Sequence, residues 1–132
     1  MTIEKINTLV IGGGQAGIAA SAHLTKQGVP HLVLERARIA ERWRSERWDS
    51  LVANGPAWHD RFPDMEFDDV APDAFAGKDQ VAHYFESFAQ KIGCPIRCGV
   101  EVTALHHLPT GGFRAATPTG VIEADSVIVA TG

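Results

Sequence analysis

Cysteine is scarce: the 132-residue chain has two, Cys94 and Cys98. Two thiols in a chain of this size make no disulfide scaffold. The three residues between them, Pro95 included, are not the two-residue spacing of a redox dithiol, and no histidine stands at metal-finger distance from either. Long apolar runs are missing too. None approaches the roughly 20 residues that cross a bilayer. Met1-Thr2-Ile3-Glu4-Lys5 lacks a basic stretch leading into a long apolar core, which predicts no secretory leader. Basic charge is in deficit: 12 Lys and Arg against 16 Asp and Glu give a net charge of −4. There is no basic stripe of the kind a nucleic acid requires. Internal repeats and low-complexity tracts are absent. These absences predict a reduced, cytoplasmic protein without a nucleic-acid or membrane partner. What is present, 45% hydrophobic and 21% charged residues, is the composition of a globular domain.

Along the chain, Ile6-Asn7-Thr8-Leu9-Val10-Ile11 is a short β-branched run closed by three glycines and reads as a buried parallel strand. Gln15 to Gln27 is alanine-rich, carries Ile18, Ala19, Ala22 and Leu24 at helical spacing, and stops at Gly28. Pro30 precedes a second strand, His31 to Glu35, so the first 35 residues form a βαβ unit with a right-handed crossover. Residues 36–78 are less regular. A short helix is expected over Ala37 to Trp43, followed by a long aromatic loop with Trp48, Trp58, Phe62, Phe67 and Phe75. Val81, Phe85, Phe88 and Ile92 make one apolar stripe of a helix from Asp79, its expected N-cap, to Ile92. Beyond it the sequence predicts a strand from Ile96 to Leu105 and a hairpin of Phe113–Thr117 with Val121–Glu123. A separate buried strand from Ser126 to Ala130 then ends in Thr131-Gly132. The pattern predicts an α/β fold: a Rossmann-like, doubly wound parallel sheet with an inserted antiparallel β-meander.

Gly12, Gly14 and Gly17 match GxGxxG, directly after a strand and at the opening of a helix. In that context Gly12 permits the tight turn, Gly14 lets the backbone approach a pyrophosphate, and Gly17 lets the helix pack close to the strand. Gln15 and Ala16 line the helix start, whose free N–H groups bind an anion. Glu35 ends the second strand 21 residues past Gly14, where a carboxylate accepts from a ribose 2′-OH. It would repel a 2′-phosphate, so the neighbouring Arg36 is read as surface or adenosine-flanking. Other constellations lead nowhere: His106 and His107 are adjacent and face opposite sides of a strand, and no metal-ligand spacing or serine nucleophile elbow occurs.

Four segments resemble the N-terminal FAD-binding region of flavin-dependent monooxygenases, the flavin-containing and YUCCA-like family. They are Val10 to Gly17; Glu41-Arg42-Trp43-Arg44 with Arg47-Trp48-Asp49-Ser50-Leu51; Asn54 to Pro63; and Val129-Ala130-Thr131-Gly132. The second departs from the family's Gly-Gly-x-Trp-Arg by carrying Glu41 and Arg42 in place of two glycines. The resemblance implies FAD rather than NAD. Gly12, Gly14, Gln15, Ala16 and Gly17 would serve the pyrophosphate and Glu35 the ribose. Val102 would meet adenine through its backbone, Trp43 and Arg44 would lie along the flavin half, and Thr131 and Gly132 would approach from the return strand. Asn54 would stand near the reaction face of the flavin as the candidate catalytic residue. The implied activity is oxygen transfer to a small-molecule substrate at the expense of NADPH. The chain has no second GxGxxG for that nucleotide. Residues 1–132 are therefore expected to be an incomplete FAD-binding domain, with self-association through an uncompleted sheet. Three alternatives stay open: the front part of a monooxygenase, a truncated inactive FAD-binding fragment, or the N-terminal part of a nicotinamide-linked flavoprotein reductase.

Overall fold

The computed structural model describes residues 3–132. The elements run β1 (Ile3–Ile11), α1 (Gln15–Lys26), β2 (His31–Glu35), α2 (Glu41–Ser45), α3 (Lys78–Lys91), β3 (Ile96–Cys98), β4 (Ala104–His107), β5 (Phe113–Thr117) and β6 (Gly120–Val129). One sheet holds all six strands in the order β3-β2-β1-β6-β5-β4. Its first four strands are parallel, and β5 and β4 add antiparallel to β6. The expected α/β sheet with a meander is the sheet observed.

Strand alternation separates two apolar cores. Leu9, Leu32 and Leu34 point to one face and meet Ala115, Ile122 and Ala124 of the meander. Val10 points to the other face, toward α1, where a Cβ on Gly17 would stand 3.6 Å from it. Ile18 and Ala22 of α1 join Val81, Phe85 and Phe88 of α3 in the second core. The apolar stripe predicted for α3 is its buried face.

Several boundaries differ from the sequence reading. The stretch from Ile96 to Leu105 is not one strand. It pairs with β2 for three residues, breaks at Gly99 (φ +72°), and resumes as β4 at the opposite edge of the sheet. The hairpin strand and the return strand are instead a single ten-residue β6, which pairs with β5 through Ala124 and with β1 along both halves. Helix α2 starts at Glu41 rather than Ala37, because the preceding residues bond outside a helix: Ala37 N donates to Glu35 Oε2, Ala40 N donates to Gly13 O, and Ala40 itself is left-handed (φ 58°). The N-cap of α3 is Gly77, not Asp79. Gly77 N donates to Gln80 Oε1 at 2.9 Å, and Asp79 lies in the first turn, where its charge favours the positive helix end.

The long loop is held by aromatic stacking on α3. Phe62 stacks on Phe88 at 4.3 Å and Phe67 on Tyr84 at 3.9 Å. Tyr84 Oη accepts from Phe62 N at 2.7 Å and donates to Met65 O. Burial pushes its phenol above the usual range, which keeps that donor protonated. By contrast, Trp48 and Trp58 are exposed. Tyr84→Phe is expected to strand the buried Phe62 N–H and to cost about 1–3 kcal/mol. Chemical denaturation measures this, and a loss below about 0.5 kcal/mol would show that the hydroxyl does not hold the loop.

Candidate functional site: a nucleotide cleft at the strand ends

The glycine loop connects β1 to α1 at the carboxyl ends of the parallel strands, where ligands of open α/β sheets bind. Gly12 N donates to Leu34 O at 2.8 Å, and its φ of +118° is one that a side chain resists. A Cβ on Gly12 would stand 2.2 Å from Ala130 O, and one on Gly17 only 1.8 Å from Gly12 O. These two glycines let chain pass against chain. Gly14 is different: a Cβ there would meet nothing within 4 Å, and the position faces open space. Gly14 caps α1 with no side-chain hydrogen bond, and no acidic residue occupies the first turn. The first-turn N–H groups and the positive helix end are therefore left for an outside anion.

Glu35 is fixed by the fold before any ligand arrives. Gly13 N donates to Oε1 at 2.9 Å and Ala37 N to Oε2 at 2.7 Å. The carboxylate thus ties the end of β2 to the glycine loop. Each oxygen keeps a lone pair for a further donor, so a sugar hydroxyl can still be bound.

Around these groups lies a cleft of about 810 Å³. Its walls are the glycine loop and start of α1, the end of β2, the α2 segment from Ala40 to Arg47, Val100 to Val102, and Ala130 to Gly132. The crossing after β3 is positioned by Val100 N, which donates to Glu35 O at 3.0 Å, and by Gly99 N, which donates to Ala37 O at 3.1 Å. Trp43 packs its inner side against the helical core, while the Arg47 guanidinium lies 5.5 Å from its ring centroid. Arg38 hydrogen-bonds both oxygens of Glu41 and holds that carboxyl down at about 2. Glu41 is consequently anionic at any working pH.

Ten of the residues singled out from sequence stand together on this wall: Gly12, Gly14, Gln15, Ala16, Glu35, Arg36, Trp43, Val102, Thr131 and Gly132. Gly17 lies beneath the loop. Arg44 turns away from the cleft, donating to Ile39 O at 3.0 Å and to Glu86 Oε2 at 2.5 Å, and so braces α2 on α3. Asn54 is exposed and does not line the cleft. The wall also includes Arg42, Glu46, Arg47 and Glu101, which the sequence reading did not assign to the site. Only the i,i+4 spacing of Arg42 and Glu46 hinted that they share a helix face. Burial raises the thiols of Cys94 and Cys98 above their usual range. Both are protonated at neutral pH and are poor nucleophiles.

A sequence profile of the pyridine nucleotide-disulphide oxidoreductase family matches residues 9–132. The chain belongs to this family. An uncharacterised oxidoreductase, CzcO-like, of Geobacillus kaustophilus is 35% identical over 96% of the chain and 36% of the relative. The indole-3-pyruvate monooxygenase YUCCA1 of Oryza sativa subsp. japonica is 34% identical over 94% of the chain and 31% of the relative. Among solved structures, a flavin-containing monooxygenase from Stenotrophomonas maltophilia superimposes with a TM-score of 0.86 at 26% identity, covering 98% of this chain and 39% of that one. The chain spans about a third of the length of the curated relatives it matches. Among the described residues no helix is long and apolar enough to cross a membrane.

Proposed function

We propose that the cleft holds FAD and that the chain is the FAD-holding part of a NAD(P)H-using flavoprotein monooxygenase. The observation that carries this reading is the anion cradle: an uncapped helix start behind Gly14, whose missing Cβ opens onto the cleft, with the Glu35 carboxylate tied beside it. The residues present fit such a cofactor. Backbone N–H groups of Gly14, Gln15 and Ala16 bind the pyrophosphate, and Gly12 keeps the loop tight enough to aim them. Glu35 accepts from the adenosine ribose, with Arg36 flanking it. Val102 offers its backbone to adenine. Trp43, Thr131 and Gly132 bound the flavin half and exclude water there. Bound flavin supplies the electron storage and oxygen activation, and the protein supplies orientation. The monooxygenase reading rests on the similarity to YUCCA1 and the flavin-containing monooxygenase.

Arg44 acts on the cofactor only through α2, and Asn54 serves the reaction face from outside the cleft wall. Asn54→Ala is then expected to leave FAD affinity unchanged, and a weakened affinity would move that residue into the binding site. The nicotinamide nucleotide is NADPH, the substrate a small molecule, and the compartment cytoplasmic. Open sheet edges at β3 and β4 favour self-association, which light scattering reads directly. The 132-residue chain has one glycine fingerprint, which is committed to FAD. Mixed with FAD and NADPH, it is expected to bind flavin without consuming NADPH faster than free FAD does. Enzymatic NADPH oxidation by the pure chain would contradict this assignment.

A further inference from the structure

Three cations stand in the cleft wall, Arg36, Arg42 and Arg47, and their surroundings differ. Arg47 lies over the Trp43 ring. Arg36 follows Glu35 at the end of β2. Arg42 reaches from α2 to the chain beyond β6: a Cβ on Gly132 would stand 3.0 Å from its Nη1 and 3.4 Å from its Cζ. Both ends of that reach are tied to the glycine loop. On one side Ala40 N donates to Gly13 O. On the other, a Cβ on Gly12 would stand 3.2 Å from Thr131 N. The guanidinium therefore lies in the cleft wall against Gly132, on the chain that passes beside Gly12 of the glycine loop.

Its competition is weak. Of the carboxylates on the wall, Glu35 is held by Gly13 N and Ala37 N, and Glu41 by Arg38. Glu101 also lines the wall but forms no ion pair with Arg42 among the described residues, and Glu46 faces Arg42 with 3.8 Å between Nε and Oε2, beyond hydrogen-bond distance, the two side chains being 48% and 53% exposed. Such a pair holds its guanidinium loosely, while a phosphate offers charge-assisted, bidentate bonds.

We propose that Arg42 is a second anion contact of the cleft, taking a pyrophosphate oxygen of the bound dinucleotide in exchange for its loose pairing with Glu46. This rests on the reading of the cleft as an FAD site. It makes Arg42 a residue that selects phosphorylated flavin over the bare vitamin.

The test is equilibrium titration of the full chain with FAD, ADP and riboflavin at two salt concentrations. Arg42→Gln is expected to weaken FAD and ADP on the order of tenfold, the loss of one charge-assisted bond. It should also flatten their salt dependence and leave riboflavin affinity unchanged. Arg42→Lys restores part of both affinity and salt dependence. Glu46→Gln, which frees the guanidinium, tightens FAD binding by about two- to threefold. Ligand-free melting of all three variants matches wild type, because the side chains are half-exposed. If Arg42→Gln binds FAD and ADP as wild type does, the role of Arg42 is overturned and the cleft reading stands. If the wild-type chain binds neither FAD nor ADP, the cleft reading falls and the proposal with it.

Discussion

Gly14→Val should give a folded protein that no longer binds FAD. The position is extended (φ −89°, ψ −159°), a conformation open to any residue, and a Cβ there meets nothing within 4 Å. The substitution is therefore accommodated by the free chain at a cost of about 1 kcal/mol, since glycine is the better N-cap. The added branches project into the cleft beside the first-turn N–H groups of α1, where the pyrophosphate must approach the backbone. Losing that approach removes at least two charge-assisted hydrogen bonds, and affinity should fall by roughly a hundredfold or more. Circular dichroism and flavin titration read the two halves of the prediction separately. Unchanged FAD affinity in a folded Gly14→Val protein would contradict the cradle.

Gly17→Ala should fail in the opposite way, by destabilising the fold. Its Cβ would stand 1.8 Å from the Gly12 carbonyl oxygen, a backbone atom that cannot rotate aside. Gly12 is itself fixed by its bond to Leu34 O and by Ala130 behind it. Either α1 moves off β1 or the loop opens, and both expose the core around Ile18 and Val10, which are fully buried. The expected loss is about 3 kcal/mol or more, at the upper end of overpacking effects. In a domain whose total stability is about 5–15 kcal/mol, that is a large fraction. Guanidinium denaturation measures it, and a Gly17→Ala protein within about 1 kcal/mol of wild type would mean that the loop is looser than described. Two glycines of one motif thus carry separable duties, three residues apart.

That division was half legible in the sequence. The strand, glycine loop, helix, strand order follows from β-branched runs, an alanine-rich helix and glycine stops, all local signals, and the structure keeps them nearly residue for residue. What local signals do not carry is where a strand goes next. The stretch from Ile96 to Cys98 and the stretch from Ala104 to His107 look continuous in alternation, yet they sit on opposite edges of the sheet. A left-handed Gly99 breaks the run, and bonds from Gly99 and Val100 back to Ala37 and Glu35 bring the intervening chain to the cleft. Conversely, β6 has Asp125 and Ser126 exposed in its middle, which reads as a gap between two strands. Pairing with β1 on both sides of that point makes it one strand.

The site shows the same limit. Gly12, Gly14 and Glu35 belong to a motif whose spacing has a physical reason, Trp43 is implied by the resemblance, and all four line the cleft. Arg42 and Arg47 stand in the same resembling segment but have no role assigned from it, and their place on the wall follows from how α2 is anchored by Ala40 and Trp43. Arg44 has the motif position but is drawn to Glu86 on α3, a partner 42 residues away in sequence. Side-chain direction on a five-residue helix is decided by tertiary partners, which spacing does not report.

The central claim is that the cleft at the end of β1 is a binding site for FAD. Titrating the purified chain into FAD and following flavin fluorescence, with ADP as competitor, tests it most directly. A saturable one-to-one transition with a Kd of about 10 μM or tighter, reversed by ADP, is the result this account predicts. Flavin fluorescence that never saturates, or a bound flavin that ADP fails to displace, would contradict it.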